Sequence, residues 1–205
     1  MESPQRCVRS RAAASRSGFD FTGFMRPLCG DMVSRVSELG HIDLGRVAFS
    51  FCQTRKSVSH GMYASLTPLR FVGGKREMVR RGRRYGMQRV LDSSGREMLY
   101  ILNFYLPRFL NLPLREKLNT VVHELWHIGP KCDGDLRRFG GRCYAHSGSQ
   151  KKYDALVSQL VDRWLRLDPP ESLFAALQFD FRGLYDKYGS IHGTRVKSPK
   201  LIPLP

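Results

Sequence analysis

Within "VVHELWHIGPKCDGDLRRFGGRCYAHS", residues 121 to 147, His123 and His127 stand four apart, Glu124 directly follows the first, and a later histidine, His146, ends a stretch rich in Gly, Cys and Arg. A spacing of four places two side chains one helical turn apart on the same side. Neutral imidazole is a good zinc ligand, so both rings of such a pair reach a single ion. Glu124 is rotated off their line and flanks the metal position without ligating it, which is where a general base for water belongs. With six His in 205 residues, random orderings of this composition spell H-E-x-x-H in roughly 0.6% of cases. A solvated histidine pair on a helix surface is the alternative, and context separates the two.

That context is a helix. "NLPLREKLNTVVHELWHIGP" has Pro113 in its first turn, where a missing amide is harmless, and Gly129-Pro130 to close it. At 100° per residue Leu114, Leu118, Val121, Val122, Leu125 and Ile128 gather on one broad face, while His123 and His127 point the other way with Glu116 and Thr120. Such a face meets water in a surface helix and lines the cleft in a zinc hydrolase. Upstream, residues 28 to 39 read as a helix entered near Pro27 and closed by Gly40. "GRVAFSFCQT" alternates, with Val47, Phe49 and Phe51 opposite Ala48, Ser50 and Cys52, as in a half-buried strand. "GMYASLTPLRF" stops being a central strand at Pro68, and "YGMQRVLD", a turn at "SSG" and "REMLYILNFYL" supply further strands. Downstream, "SGSQKKYDALVSQLVDRWLRLDPP" places Leu156, Leu160, Val161 and Trp164 at helical spacing, and "ESLFAALQFDFRGLYDKYG" reads as a fourth helix. The pattern predicts an α+β domain over residues 19–190, with a small mixed sheet of three to four strands and flanking helices. A disordered basic arm over residues 1–18 and an extended, proline-bearing tail over 191–205 are expected around it.

Lys and Arg number 34 against 18 Asp and Glu, a net charge of +16, so the field of the folded chain attracts polyanions. The charge clusters in "KREMVRRGRRYGMQR", where Lys75, Arg76, Arg80, Arg81, Arg83, Arg84 and Arg89 face one acid, Glu77, and Tyr85 is at hand to stack on a base. This composition suits DNA or RNA phosphate contact and equally a solvated hairpin tip. Cys7, Cys29, Cys52, Cys132 and Cys143 form no close-spaced pair, and no secretory apolar core precedes the first. Reduced thiols and a cytoplasmic setting are expected. No apolar run approaches the ~20 residues of a membrane span, so no membrane partner is expected. The Arg, Ser and Ala of the arm have the composition of a transit peptide or of a disordered basic segment.

"YILNFYLPRFLNLPLREKLNTVVHELWH" resembles the hydrophobic strand, Leu-Asn pair, spacer and T-x-x-H-E-x-x-H helix of the SprT-like zincins. "HELWHIGPKCDGDLRR" is closer still to the phage metallopeptidase domain, whose helix is followed by Pro, an Asp-Gly pair and a Leu-Arg pair. The likeness spans roughly residues 45 to 165 and centres on Tyr100 to Arg138. It implies a zincin-like domain, one catalytic zinc, and hydrolysis of a peptide or protein substrate. Where the phage-type pattern has a histidine after the Leu-Arg pair, this chain has Phe139; His146 is the nearest later histidine and precedes a helix, as the third ligand of SprT-like proteins does. Ser147 replaces the usual glycine after it. His123, His127 and His146 are thus the expected zinc ligands, with Asp135 and Cys143 in reserve. A structural zinc on Cys132, Cys143 and two histidines is the rival, although the C-x-x-C pairs of such sites are missing. The acids of "CDGD" are either outer acceptors for an imidazole N–H or an ordinary Asp-Gly turn. Tyr144, Arg142 or His192 is the expected donor to a tetrahedral oxyanion, and the sequence does not choose among them. A reading from another class is a basic nucleic-acid-binding protein whose zincin-like core is structural or inactive. The two are compatible, because SprT-like relatives include proteases that act on DNA-bound proteins.

Overall fold

The computed structural model describes residues 18–54, 61–138 and 150–205, and these form an α+β arrangement of four helices and three small sheets. In chain order they are β1 (Phe19–Asp20), α1 (Phe21–Arg35), β2 (Val47–Gln53), β3 (Ala64–Pro68), β4 (Glu77–Arg80), β5 (Arg83–Met87), β6 (Tyr100–Leu106), α2 (Leu114–Trp126), α3 (Gln150–Arg166), α4 (Phe181–Tyr188), β7 (Ile191–His192) and β8 (Leu201–Pro203). Apart from Gly18, the expected N-terminal arm lies outside the described residues. Among the described residues no helix is long and apolar enough to cross a membrane.

The central sheet has the order β2-β6-β3, with β2 parallel and β3 antiparallel to β6. Val47 to Phe51 are buried on both faces, where alternation predicted a half-buried strand. Val47, Phe49 and Phe51 join the main core with α1, while Ala48 packs with Leu69, Val90, Met98 and Ile101 on the opposite side. The Val196 N–H donates to Ser50 Oγ at 3.0 Å, so the last part of the chain closes the face that alternation left open. Just outside the two ends of β3, the Tyr105 N–H donates to Tyr63 O and the Leu69 N–H to Leu99 O, both at 2.9 Å. Antiparallel alternation then turns the backbone groups of Ala64, Leu66 and Pro68 away from β6. Pro68 therefore breaks no ladder bond, which is why an edge strand accepts it.

Helix α1 begins seven residues before the expected start at residue 28 and contains Pro27. Its cap is Asp20, whose carboxylate accepts the Gly23 N–H at 3.0 Å, satisfying one of the orphan donors of the first turn. Gly23 and Pro27 are both exposed, so the missing proline N–H falls on the solvent side of the helix. In α3 the buried stripe is Tyr153, Val157, Leu160, Val161 and Trp164, and Leu156 is only half-buried. The expected fourth helix breaks into two short 3₁₀ turns before α4, which starts at Phe181 under an Asp180 cap. Buried Lys117 of α2 donates to Leu177 O and Phe179 O, each at 2.8 Å, and so anchors α2 on that segment. Burial pulls its pKa down to about 8.

The stretch expected as a basic, solvated hairpin tip forms strands β4 and β5 of a second sheet, β4-β5-β8, separate from the central one, and the strand expected at "YGMQRVLD" stops at Met87. Arg81 and Gly82 at the β4–β5 turn both have positive φ, 50° and 72°, the pattern of a tight type I′ hairpin. Glu97, 8% exposed, ties this sheet to the core through Arg70 at 2.8 Å, Arg89 at 2.9 Å and Arg76 at 3.6 Å. Burial works against ionisation there, and the hydrogen bonds and charges of Arg70 and Arg89 outweigh it, holding the carboxyl below the usual glutamate range. From the end of the chain, β7 pairs parallel with β1, and β8 pairs antiparallel with β5.

Candidate active site

His123 lies in the last turn of α2 and His127 is its C-cap, with φ −68° and ψ −18° that keep both in one helical turn. Their ring centroids are 4.8 Å apart and the planes nearly perpendicular, at 81°. His123 and Glu124 help line a groove of about 370 Å³, bounded by Tyr63 and Ala64 from the β3 side and by Asp154 and Val157 of α3. The apolar face of α2 is the expected one, but the opposite face is not left to water: Glu124 is 8% and His127 9% exposed. Burial pushes the Glu124 carboxyl up to about 7, opposed by the backbone N–H of Leu66 on the outer edge of β3. A carboxyl so placed exchanges protons near neutrality.

The covering group on the histidine side is Tyr153 of α3, 2% exposed. Its hydroxyl lies 3.3 Å from His123 O and 3.3 Å from His127 Nδ1. Its ring stacks on His127 at 26° with centroids 5.5 Å apart, and meets His123 edge-on at 4.8 Å. Arg137 braces the helix end: its backbone N–H donates to His127 O at 2.7 Å, its Nε–H to Trp126 O at 2.9 Å, and its guanidinium lies 3.8 Å over the Trp126 ring. Sequence reasoning singled out neither Tyr153 nor Arg137. The signal for Tyr153 was present, since 153, 157, 160, 161 and 164 share one helical stripe, and a polar-tipped aromatic on a buried stripe needs a partner. The Leu66 amide carried no such signal, because its outward direction depends on strand register.

The other expected site residues distribute as follows. His146, Tyr144, Arg142 and Cys143 lie outside the described residues. Asp135 does not serve as an outer acceptor for either described imidazole; its carboxylate accepts from Gly73 N at 2.7 Å, Leu136 N at 2.8 Å and Arg138 at 2.7 Å. Tyr100 fixes the same loop, accepting the Gly134 N–H at 2.9 Å and donating to Asp135 O at 2.8 Å. "CDGD" is thus a pinned turn, with Gly134 at φ 93°. Cys132 Sγ accepts the Asp43 N–H at 3.4 Å, and burial raises its pKa. Among the described residues no three His, Cys, Asp or Glu side chains assemble as a metal group, so neither Asp135 nor Cys132 completes a triad with the histidine pair. His192 lies on β7 opposite Asp20 and is not in the groove wall.

Lys75, Arg76, Arg80, Arg81, Arg83 and Arg84 are all exposed on or beside the β4–β5 hairpin. Arg84 pairs with Glu77 at 2.7 Å and Arg76 reaches Glu97. Lys75, Arg80, Arg81 and Arg83 form no ion pair among the described residues. The Met78–Tyr85 and Arg80–Arg83 pairings put Arg80, Arg83 and Tyr85 on one face of the sheet.

The sequence matches no family model, and no curated protein or solved structure matches it.

Proposed function

We propose that the chain is a zinc-dependent metallopeptidase with a zincin-like core, His123, His127 and His146 as ligands and Glu124 as general base. The observation that carries this reading is the buried Glu124 carboxyl beside two imidazoles of one helical turn, at a groove bordered by an edge strand. The donor set suits zinc, which binds imidazole nitrogen well and in catalytic sites takes three protein ligands. Zinc held there supplies Lewis acidity, acidifying water and polarising a carbonyl. Glu124, with a pKa near 7 in the metal-free chain, takes a proton from water and returns it to the leaving amine. A cation beside it lowers that value and extends the ionised range downward in pH. The outward backbone groups of Ala64 offer an extended peptide a place to lengthen the central sheet, so recognition rests on substrate backbone.

The basic hairpin supports a second reading, binding of DNA or RNA, in which the zincin-like core is structural or inactive or works on nucleic-acid-bound protein. Its observation is the face carrying Arg80, Arg83 and Tyr85, where cations without acidic partners among the described residues flank an aromatic ring. The free thiols of Cys29, Cys52 and Cys132 fit a reducing, cytoplasmic compartment.

Zinc content by elemental analysis, with peptide hydrolysis by wild type and Glu124→Gln, tests the first reading. Both proteins should hold zinc, and the variant should lose cleavage by about 10²–10⁴-fold. Retained zinc with undiminished cleavage in Glu124→Gln overturns the assignment.

A further inference from the structure

We infer that Tyr153 is a positioning residue that holds His127 in its Nδ1–H tautomer and so presents Nε2 as the nitrogen that meets a metal. A count of protons leads there. The hydroxyl of Tyr153 has one proton and, among the described residues, lies 3.3 Å from His123 O and from His127 Nδ1. A backbone carbonyl only accepts, so the tyrosine proton answers His123 O. The phenolic oxygen then meets Nδ1 with its lone pairs, and the contact is a hydrogen bond only if Nδ1 bears the proton. A neutral imidazole protonated at Nδ1 has its remaining lone pair on Nε2, the atom able to ligate.

Three further features make this a held arrangement. Tyr153 is 2% exposed and shares the buried α3 stripe with Val157, Leu160, Val161 and Trp164, so packing sets where the hydroxyl stands. Its ring lies against the His127 ring at 26°, which limits rotation of the imidazole out of the plane that suits the bond. The bond to His123 O ties the same hydroxyl to the backbone of the other histidine, one turn earlier, so a single side chain registers both. In water a histidine side chain favours the Nε2–H form; without the tyrosine, His127 would present the wrong nitrogen. Outer partners of this kind raise metal affinity by about 10–100-fold.

Ligation by His127 rests on the proposed function, but the tautomer belongs to the metal-free chain and is read without zinc or substrate. Long-range ¹H–¹⁵N correlation on metal-free protein, above the ordinary histidine pKa of ~6.5, separates protonated from unprotonated ring nitrogens. Wild type should show His127 protonated at Nδ1. Tyr153→Phe, which keeps the stacked ring and removes only the hydroxyl, should move His127 toward the Nε2–H form and weaken zinc binding by about 10–100-fold in chelator competition, with little change in Tm. An Nε2–H wild-type His127, or a Tyr153→Phe protein with unchanged tautomer or unchanged zinc affinity, overturns the inference. A wild type that binds no zinc yet shows the Nδ1–H form and its loss in Tyr153→Phe overturns the peptidase reading and upholds the control of His127 by Tyr153.

Discussion

Glu124 carries the sharpest consequence at the scale of single residues. Its carboxyl rises from an ordinary 4.5 to about 7, chiefly through burial, so the metal-free fold favours the protonated form. A group whose folded pKa lies above its unfolded value contributes stability that is complete below the unfolded pKa and is lost as pH rises through the folded one. Glu124→Gln mimics the neutral form at every pH. The metal-free variant should therefore exceed wild type by roughly 1–3 kcal/mol at about pH 8 and by little at about pH 4.5, as read by urea denaturation at both values. An equal difference at both would contradict burial as the cause. His123, Glu124 and His127 were legible in the sequence because a spacing of four is a local property of one helix. The burial of Glu124 and the contact from Tyr153 were not, because β3 and α3 bring the covering atoms from distant parts of the chain.

Elements show the same division. The bounds of α2 followed from Pro113 and Gly129-Pro130, since proline and glycine punctuate a helix whatever packs on it, and the observed helix is Leu114–Trp126. Pro27 misled for the same reason: read as an entrance, it lies inside α1, where Asp20 provides the start. Asp20→Ala should cost about 1 kcal/mol of stability, measurable as a small fall in Tm, and no fall would show that Thr22 or solvent replaces the cap. Strand β2 was read as half-buried because alternation cannot foresee that Val196 will cover Ser50 from 146 residues away. Glu97 links Arg76 and Arg89, which flank the second sheet, to Arg70, and Glu97→Ala leaves the 8% exposed Arg70 guanidinium without its acid. The expected cost is about 3 kcal/mol. The Glu97 carboxyl is held below its ordinary range, so its contribution is present above about pH 4.5 and fades as pH falls through the folded value. Urea unfolding of Glu97→Ala and wild type should therefore converge in strong acid.

For the whole molecule, a charge of +16 sets the long-range field, and the hairpin concentrates part of it in Arg80, Arg81 and Arg83. Replacing these three with Gln should lower the slope of log affinity for duplex DNA against log salt by about 0.9 for each phosphate no longer neutralised, with peptide cleavage unaltered. An unchanged slope would place nucleic-acid binding elsewhere or nowhere. The stretch Tyr100 to Arg138 supplies β6, α2 and the pinned "CDGD" turn. Those parts are consecutive in the chain, which is why a motif exposes them. The closing strands β7 and β8 pair with β1 and β5, far away in sequence, and no local pattern announces them. The central claim is that the histidine pair grips zinc, and metal analysis of reduced protein, purified without added metal, tests it most directly. One equivalent of zinc per chain is expected in wild type, with loss of that zinc in His123→Ala and in His127→Ala while circular dichroism stays that of a folded chain. A folded, reduced wild type that retains no transition metal would contradict the account.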